Sequence, residues 1–487
     1  TMPYTQGRAL GGGSVVNGIG ANRGAPGDYD EWEALGAKGW TWENVLPFFL
    51  KLERDLEMAG PLHGQDGPIP VRRVPKADRS GFVEALVAAL ARQGVPEKPD
   101  QNGAWEDGVF PLTANCDETW TRVPTSVGYL TPSVRARPNL TILTETKAIS
   151  LILEGKAVVG ARVRDADGEQ VIRASETIVA CGALQTPTML MRSGIGPAGE
   201  LAARGIKVIC DSPGVGRNLM EHPSAAVAAF LPRSARLPAR EPRHHIPAIW
   251  RFSSGLPGEP DGDMHMAMVG RGSWHAMGRR MGLGYVWVNR SHGRGLVRLG
   301  ADPFGPPEVD LRLLSDERDR VRLREAFKRV ADLMADVHAQ GLTGAPFAAR
   351  LSDRARRFGA PSLRNETLMT LAGAAVDLSG PFAPKLFEAM VAPEAPLAAL
   401  LADDAVLDAY LDRVVTGVWH ASGTCRMGAD LDRLAVTDEA GLVRGVTGLR
   451  VCDASLFPSI PSANINLPVI MVAERIASLI EASTAHP

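Results

Sequence analysis

Apolar residues recur at helical spacing in several stretches of the chain, and this pattern predicts amphipathic helices. The longest of these predicted helices lies at Asp316–Gln340, and others lie at Ser80–Gln93, Asp403–Val415 and Pro468–Ala482. A helix of this kind packs its apolar stripe against a core. We therefore expect substantial helical layers in both halves of the chain.

Short β-branched runs separated by turns replace the helical pattern between Asn139 and Cys181. Runs of this kind predict the strands of a sheet. The predicted sheet ends at Cys181-Gly182, and a helix is predicted at Gln185–Arg192, opened by Thr186-Pro187.

A second strand pattern lies further along the chain, at Gly284–Asn289 and Gly295–Gly300. The two runs predict a hairpin-like pair. Alternation along the first run places Tyr285 and Trp287 on the same face. These two aromatic residues, together with Trp419, either face a substrate or belong to the core.

Length and composition place the chain among ordinary globular proteins with more than one domain. It has 487 residues, 45% apolar and 22% charged, and single cores stop growing near about 250–300 residues. The net charge of −2 gives no electrostatic reason to expect a nucleic acid partner. No apolar run approaches the roughly 18 residues that a membrane span needs.

Five scattered cysteines, an odd number without CxxC spacing, indicate neither a disulfide framework nor a zinc site. We therefore expect no metal, and a reducing, cytoplasmic location.

Two glycine-rich motifs are candidates for binding a phosphate-containing ligand. Gly7–Gly24 contains the three consecutive glycines Gly11, Gly12 and Gly13, which let backbone N–H groups approach a ligand unless the segment is merely a flexible loop. Gly194–Gly199 matches GxGxxG, but it follows a helix instead of a strand, and Pro197 removes an N–H donor. We expect the second motif to be a chance match.

The segment Val418–Gly428, VWHASGTCRMG, carries the candidate base His420. A short strand-like run, Leu449–Asp453, would return the chain so that Ile460–Pro468 lies beside this segment. His420 would then take a proton from an alcohol, and Asn464 would donate a hydrogen bond to the remaining oxygen. The alternatives are a packing histidine and an asparagine that caps the following helix.

Four separated segments together resemble the glucose-methanol-choline (GMC) family of flavoprotein oxidoreductases. These are Gly7–Gly24, GALQTPTMLMRSGIG at Gly182–Gly196, PGVGRNLMEHP at Pro213–Pro223, and the C-terminal segments around His420 and Asn464. The resemblance is greatest to the bacterial aryl-alcohol and 5-(hydroxymethyl)furfural oxidase branch.

The resemblance implies an α/β fold, α+β overall, in two domains. A Rossmann-like FAD-binding domain would be built from residues 1–45, 140–228 and 415–487. A substrate-binding domain with an antiparallel sheet and helices would contain residues 46–139 and 229–414. The family's initial strand, GxGxxG turn and helix have no match in this chain, so we expect about 85 further residues before Thr1 in the intact protein.

The resemblance also implies positions along the cofactor. Asn17 and the glycines before it would lie along the flavin and diphosphate, and Asn466 and Leu467 would reach the pyrimidine edge. Val16 stands where some members attach FAD through histidine, so FAD would be noncovalent. The full set of implied cofactor residues is Gly11, Gly12, Gly13, Asn17, Gly18, Ala21, Ala148, Ala180, Cys181, Gly182, Asp453, Ala454, Asn466 and Leu467.

The implied reaction is FAD-dependent oxidation of a primary alcohol, aromatic or furan-type, to an aldehyde. His420 and Asn464 would act on the hydroxyl, and Tyr285, Trp287 and Trp419 would face the substrate. Because asparagine cannot accept a second proton, a single basic group should dominate the pH profile. The electron acceptor is oxygen or another acceptor, as in a choline-dehydrogenase-like enzyme. The rival class is a non-catalytic binding protein, and the oligomeric state is open.

Overall fold

The structure, a computed structural model, describes residues 4–237, 244–350, 353–391 and 393–485. Its helices are α1 Pro26–Ala34, α2 Trp42–Leu52, α3 Gly81–Arg92, α4 Thr125–Gly128, α5 Pro132–Arg135, α6 Gly182–Arg192, α7 Ala198–Ala202, α8 Glu317–Ala339, α9 Asp353–Gly359, α10 Leu363–Leu378, α11 Ala383–Val391, α12 Leu397–Leu401, α13 Asp404–Val414 and α14 Asn466–Ala485.

The strands are short and are distributed among several sheets. They are β1 Glu53–Asp55, β2 Ile69–Arg73, β3 Gly108–Pro111, β4 Thr113–Ala114, β5 Lys147–Glu154, β6 Ala157–Arg164, β7 Glu169–Arg173, β8 Thr177–Val179, β9 Ile195–Gly196, β10 Cys210–Asp211, β11 Ser224–Phe230, β12 Ala248–Phe252, β13 Met264–Val269, β14 Met281–Val288, β15 Leu296–Arg298, β16 Glu308–Asp310, β17 Phe347–Ala349 and β18 Leu449–Val451.

The four long predicted helices are confirmed within a few residues, and three of them begin at a side-chain cap. Ser80 accepts a hydrogen bond from a backbone N–H of α3, Asp316 from α8 and Asp403 from α13. Such caps satisfy N–H groups that have no partner within the helix. Among the described residues, no helix is long and apolar enough to cross a bilayer.

The largest sheet has six strands in the order β17-β11-β14-β13-β12-β3, and its pairings are antiparallel. Helices α3 and α8 pack against one face. Tyr285 and Trp287, both on β14, lie in a cluster with Ile249 and Ala267 on the other strands. The predicted antiparallel sheet with helices is confirmed, and the two aromatic residues share a face as expected.

The predicted pairing of Gly284–Asn289 with Gly295–Gly300 is wrong. Strand β14 pairs with β11 and β13, whereas β15 pairs with β16. Strand propensity describes how a segment fits a sheet and leaves its partner undetermined. Here β11 and the preceding strand β13 supply both edges of β14, so the assumption that β14 pairs with the following strand misled the prediction.

The stretch from Asn139 to Cys181 also forms two sheets instead of one. Strands β5, β6 and β7 make an antiparallel sheet, while β8 pairs in parallel with β18 across a long separation in sequence. This parallel pair carries the chain directly to the candidate site, because Cys181 and Asp453 follow the two strands.

Helix α6 begins at Gly182, three residues before the predicted start, so Pro187 lies inside it. A proline at this position cannot donate to the carbonyl four residues earlier. That carbonyl, of Ala183, instead accepts a hydrogen bond from Thr424 Oγ1 at 2.5 Å. The proline therefore frees an acceptor that ties α6 to the segment carrying His420.

The two largest hydrophobic clusters support the predicted two domains, which we retain as a proposal. One cluster joins residues of the glycine-rich, β8 and C-terminal segments, and the other joins α3, α8 and α13 to the six-stranded sheet. The buried apolar residues between Val45 and Val71 pack in the first cluster. The prediction had assigned most of this stretch to the substrate domain.

A buried ionic network supports the region beneath the glycine-rich segment. His63 lies with Nδ1 3.1 Å from Asp55 and Nε2 3.0 Å from Asp100. Hydrogen bonds to Asp100 and Asp55 raise the pKa of His63 to about 9. When His63 is protonated, three carboxylates thus face three cations. The carboxylates are Glu53, Asp55 and Asp100, and the cations are Arg23, Arg73 and His63.

His63→Gln is expected to lower the free energy of unfolding by about 1–3 kcal/mol at pH 6, since it leaves buried carboxylates underpaired. The raised pKa means that the stabilisation by the His63 cation is fully present below pH 6.5 and is lost as pH rises through about 9. Urea unfolding of the intact protein at pH 6 and pH 9.5 measures both values. The difference between variant and wild type should shrink at the higher pH.

A suitable control is Lys76→Gln, because Lys76 makes an exposed ion pair with Glu97. It should change stability by less than about 1 kcal/mol at both pH values. An equal loss for His63→Gln at both pH values would show that the protonated imidazole does not stabilise the fold.

Candidate active site

The structure brings His420 and Asn464 together, with His420 Nε2 3.3 Å from Asn464 Nδ2. Backbone hydrogen bonds fix the two segments around them. Met220 and Ser422 exchange both of their N–H···O bonds, and Gly423 donates to Ala454 just after β18. The short strand β18 therefore brings the His420 and Asn464 segments together, as the sequence predicted.

The second ring nitrogen of His420 contacts another histidine. His420 Nδ1 lies 2.9 Å from Nδ1 of His222. Burial lowers the pKa of His420 to about 3 and lowers that of His222 well below its ordinary value. Both imidazoles are therefore neutral at pH 7, and only one proton is shared between the two facing Nδ1 atoms.

The orientation of the Asn464 amide assigns this proton to His420. The amide Nδ2 of Asn464 is a donor, so the facing Nε2 of His420 must carry a lone pair. The His420 proton then resides on Nδ1 and is donated to His222 Nδ1. In this tautomer the free lone pair of His420 points toward Asn464, where a substrate hydroxyl would donate its proton.

His222 was missed as an individual residue by the sequence analysis, which recorded Pro213–Pro223 only as a family segment. Glu221 was missed in the same way. It is buried, and its carboxylate accepts hydrogen bonds from the backbone N–H groups of His222, Val418 and His420. Nothing in one sequence distinguishes this glutamate from a surface one.

Glu221, His222 and His420 place donor atoms within 4.8 Å of one another. These atoms already bind each other or backbone N–H groups. Because these contacts occupy the ligand atoms, we describe the group as a hydrogen-bonded cluster that handles a proton.

The glycine-rich segment forms a tight turn beside the site. Gly11 is left-handed, with φ 94°, and precedes a 3-10 turn at Gly12–Val15. A side chain added at Gly12, Gly13 or Gly18 would meet no atom within 4 Å. The backbone there is open to a ligand.

Asn17 and Val16 follow the turn. Asn17 Oδ1 accepts from the Ile19 N–H at 3.1 Å and from the Arg122 guanidinium, which fixes its amide and directs the exit of the chain. Val16 is 63% exposed and offers no nucleophile, which fits a noncovalent cofactor.

An open groove of about 1390 Å³ lies against these segments. Its lining includes Ala148, Cys181 and Tyr4. The Cys181 side chain is exposed at this groove. The volume exceeds that of usual small-ligand sites, about 300–1,000 Å³, and suits a dinucleotide.

Asn466 supplies a further indication of a ligand. Its Nδ2 is buried and has no hydrogen-bond partner in the protein, and it lies in the first turn of α14. Buried polar groups normally have a partner. An amide donor at a helix N-terminus suits a carbonyl-rich, electron-accepting ring such as the flavin pyrimidine. Together with the groove and the open glycines, this fits FAD.

The remaining predicted cofactor residues lie at the inner edge of this region. Asp453 is buried, and its Oδ2 accepts from Gly182 N at 2.7 Å while Oδ1 accepts from Ser455 N at 2.8 Å. It therefore joins the start of α6 to the end of β18. Ala180 is exposed beside Cys181, whereas the side chains of Ala21, Ala454 and Leu467 are buried in the first cluster.

The three predicted substrate-facing aromatic residues occupy different settings. Trp287 is buried, with its ring centroid 4.7 Å from that of His265. Tyr285 is half-buried and shares a hydrogen bond of 2.8 Å with Ser224. Trp419 is 43% exposed beside His420. Exposure thus favours Trp419 and Tyr285 over Trp287 as groups that a substrate could reach.

His244 was not predicted, because its Arg- and Pro-rich surroundings suggested an exposed excursion. Part of that excursion, residues 238–243, lies outside the described residues. His244 itself is buried, and its Nε2 lies 3.0 Å from the carbonyl of Gly18. It therefore braces the glycine-rich segment.

The predicted chance match at Gly194–Gly199 has an internal role. Strand β9 pairs with β10, and Asp211 accepts from the Ala198 N–H at 3.0 Å. Asp211, which stands where a dinucleotide-binding motif would have its acidic residue, thus binds the GxGxxG loop itself.

Comparison with known proteins places the chain in a family. The GMC oxidoreductase sequence models match residues 1–224 and 291–473. The chain is 43% identical to 5-(hydroxymethyl)furfural oxidase of Methylovorus sp. (strain MP688), over 98% of the chain and 83% of that protein. It is 30% identical to an oxygen-dependent choline dehydrogenase of Ectopseudomonas mendocina (strain ymp), over 98% of the chain and 80% of that protein.

Solved structures agree with this relationship. The chain matches pyridoxine 4-oxidase from Mesorbium loti with a TM-score of 0.76 and 25% identity, over 98% of this chain and 85% of that one. The shared fold extends over nearly all of the chain.

Proposed function

This chain belongs to the GMC oxidoreductase family, and on that premise we propose that it oxidises a primary alcohol of aromatic or furan type to the aldehyde. It is an oxidoreductase acting on a CH–OH group, and FAD is its cofactor. The furan-alcohol oxidase that shares 43% of its residues supports the substrate class.

The single observation that carries the mechanism is the contact between His420 Nε2 and Asn464 Nδ2. When bound, FAD supplies the acceptor for the hydride of the alcohol carbon at flavin N5. The protein residues must hold the alcohol oxygen, remove its proton and orient its carbon. We assign the first two tasks to Asn464 and His420.

His420 is suited to proton removal by its charge state and its tautomer. Burial keeps the imidazole neutral at pH 7, so its Nε2 lone pair is free to accept the hydroxyl proton. The backbone N–H of His420 donates to the Glu221 carboxylate at 2.8 Å. This hydrogen bond holds the loop that carries the His420 side chain.

Asn464 is suited to hold the oxygen because its amide cannot titrate. Its backbone N–H is fixed by Asn22 Oδ1 at 2.8 Å, so the side chain leaves the turn in one direction. An oxygen between the two side chains would donate to His420 Nε2 and accept from Asn464 Nδ2. As negative charge grows on that oxygen, the second hydrogen bond strengthens.

Asn464→Ala is expected to lower kcat/KM by about 10- to 100-fold, the effect of a hydrogen bond worth roughly 1.5–3 kcal/mol to a charged oxygen. Steady-state kinetics on the flavin-loaded protein measures the loss. Asn365→Ala is the control, since Asn365 lies on α10 and its side chain donates to the backbone carbonyls of Arg357 and Ala360, and it should match wild type. A loss below twofold for Asn464→Ala would remove Asn464 from the mechanism.

The substrate class is tested by comparing kcat/KM for benzyl alcohol, 5-(hydroxymethyl)furfural and choline. We expect the first two to exceed choline. Choline would need a carboxylate free to face its cation, whereas the carboxylate beside His420 has both oxygens occupied by backbone donors and Tyr4. Preference for choline would contradict the proposal.

The electron acceptor is tested separately, by oxygen consumption and peroxide formation during turnover. We propose oxygen, because the furan-alcohol relative is an oxidase. Turnover only with an added dye would favour the dehydrogenase alternative. We also propose a cytoplasmic location, since the five cysteines are unpaired.

A further inference from the structure

Glu221 is a buried carboxylate with an unusual number of donors. Its side chain accepts from the N–H of His222 at 2.9 Å, of Val418 at 3.2 Å, and of His420 at 2.9 and 2.8 Å. The hydroxyl of Tyr4 donates to it at 2.5 Å. Hydrogen bonds from several donors favour the charged form of a carboxylate.

The donors from Val418 and His420 flank Trp419, whose backbone is left-handed, with φ 63°. A bulky residue adopts this conformation at a cost of about 1 kcal/mol or more. Neighbouring N–H groups around a left-handed residue converge and form a concave anion site. Here Glu221 is the anion, and its charge offsets the strain that turns His420 toward Asn464.

The fit around Glu221 is close. A side chain added at Gly417 would lie 2.5 Å from Glu221 Cγ, so glycine is needed where the loop passes the carboxylate. On the other side, the Ala421 N–H donates to the Tyr4 hydroxyl at 2.9 Å. Tyr4 therefore continues the same set of hydrogen bonds to the residue after His420, and it also lines the cofactor groove.

We propose that ionised Glu221, assisted by Tyr4, is the positioning residue that holds the His420 loop in its active conformation, and that its ionisation produces the acidic limb of the pH–rate profile. The inference rests on the proposed role of His420. It goes beyond that role by assigning the pH dependence to a residue that does not touch the substrate.

The electrostatics of the cluster agree with this assignment. Burial raises the pKa of Glu221 to about 7, while the Tyr4 hydroxyl and the backbone N–H groups oppose the rise. The titratable groups that face it are Tyr4, His222, His420 and Tyr285. His420, with a pKa of about 3, is already neutral throughout the range in which Glu221 gains or loses its proton.

Protonation of Glu221 would place an O–H among donors that need an acceptor. One or more backbone N–H groups would lose their partner, and the strained turn at Trp419 would relax. Displacement of a catalytic group by about 1 Å can cost about 100-fold in rate. Activity should therefore rise with pH through about 7.

The test uses the full-length, flavin-loaded protein and follows kcat and kcat/KM from pH 5 to 9. Wild type should show an acidic limb near pH 7. Glu221→Gln should lower kcat about 10- to 100-fold at pH 8, change KM little and lose the limb. Tyr4→Phe should retain a limb that is shifted to higher pH, since the hydrogen bond that stabilises the carboxylate is removed.

A spectroscopic measurement gives a readout that does not depend on turnover. The infrared carboxyl band of a protonated buried acid should appear in wild type as pH falls through about 7 and be missing in Glu221→Gln. This titration in wild type, together with Tyr4→Phe kinetics, tests the inference even if Glu221→Gln does not fold.

The matched control is Tyr129→Phe, which removes another hydrogen bond from tyrosine to glutamate, 2.8 Å to Glu474. It should leave the limb unchanged. An acidic limb retained in Glu221→Gln, or absent from wild type, overturns the inference. These results leave the role of His420 intact, whereas full activity in a His420 variant would overturn the proposed function itself.

Discussion

His420→Ala is expected to lower kcat by about 10²- to 10⁴-fold, the usual contribution of a positioned general base. The imidazole accepts the hydroxyl proton at Nε2 and makes none of the groove contacts assigned to FAD. The flavin content and the unfolding temperature should therefore stay near those of wild type. Stopped-flow reduction of the flavin by substrate measures the chemical step directly.

A histidine remote from the site provides the control for this variant. His338, near the end of α8, binds only the Thr343 carbonyl through Nδ1, at 2.8 Å. His338→Ala should reduce the flavin at the wild-type rate. If His420→Ala loses FAD together with activity, the residue holds the cofactor. If the rate of reduction is unchanged, another group is the base.

Much of the fold was predictable because its signals are local. The helices at Asp316–Gln340 and Asp403–Val415 follow from apolar spacing, and their caps are the first residues of the predicted ranges. The approach of His420 to Asn464 was also predictable, since only 44 residues separate them and one short strand connects the segments. Sequence separation of this order leaves few alternative arrangements.

The pairing of strands was not predictable, because the local sequence of a strand does not identify its partner, whether near or far along the chain. Strand β8 pairs with β18, and β14 lies between β11 and β13. Local β propensity is satisfied by any of these partners. The choice depends on how the strands pack in the folded protein, which a single sequence does not show.

The support of the candidate base was missed for the same reason. Glu221 and Tyr4 are 217 positions apart, and Glu221 binds a loop 199 positions away. A glutamate in sequence is usually a surface residue. Its burial, the left-handed Trp419 and the glycine at position 417 become related only when the loop lies against it. The sequence predicted His420 and Asn464 as candidate reacting groups, whereas the residues that hold the His420 loop became visible only in the fold.

Replacing His222 should also lower activity strongly, by removing the partner of His420 Nδ1. His222→Phe preserves a ring but removes the acceptor for the His420 Nδ1 proton, 2.9 Å away. The His420 proton can then move to Nε2, where it blocks acceptance of the substrate proton. We expect kcat to fall about 10- to 100-fold with KM little changed, a smaller loss than for His420→Ala because a fraction of His420 keeps the active tautomer.

The tautomer itself can be measured, which separates this explanation from loss of packing. Nitrogen-15 NMR of labelled histidine should show the His420 proton on Nδ1 in wild type and a mixture of tautomers in His222→Phe. The His222 ring also faces the backbone carbonyls of Pro461 and Asn289, so the tautomer measurement is what attributes the loss to the contact with His420. A proton found on Nε2 of His420 in the wild-type enzyme would contradict the assignment, because that nitrogen could not then act as the base.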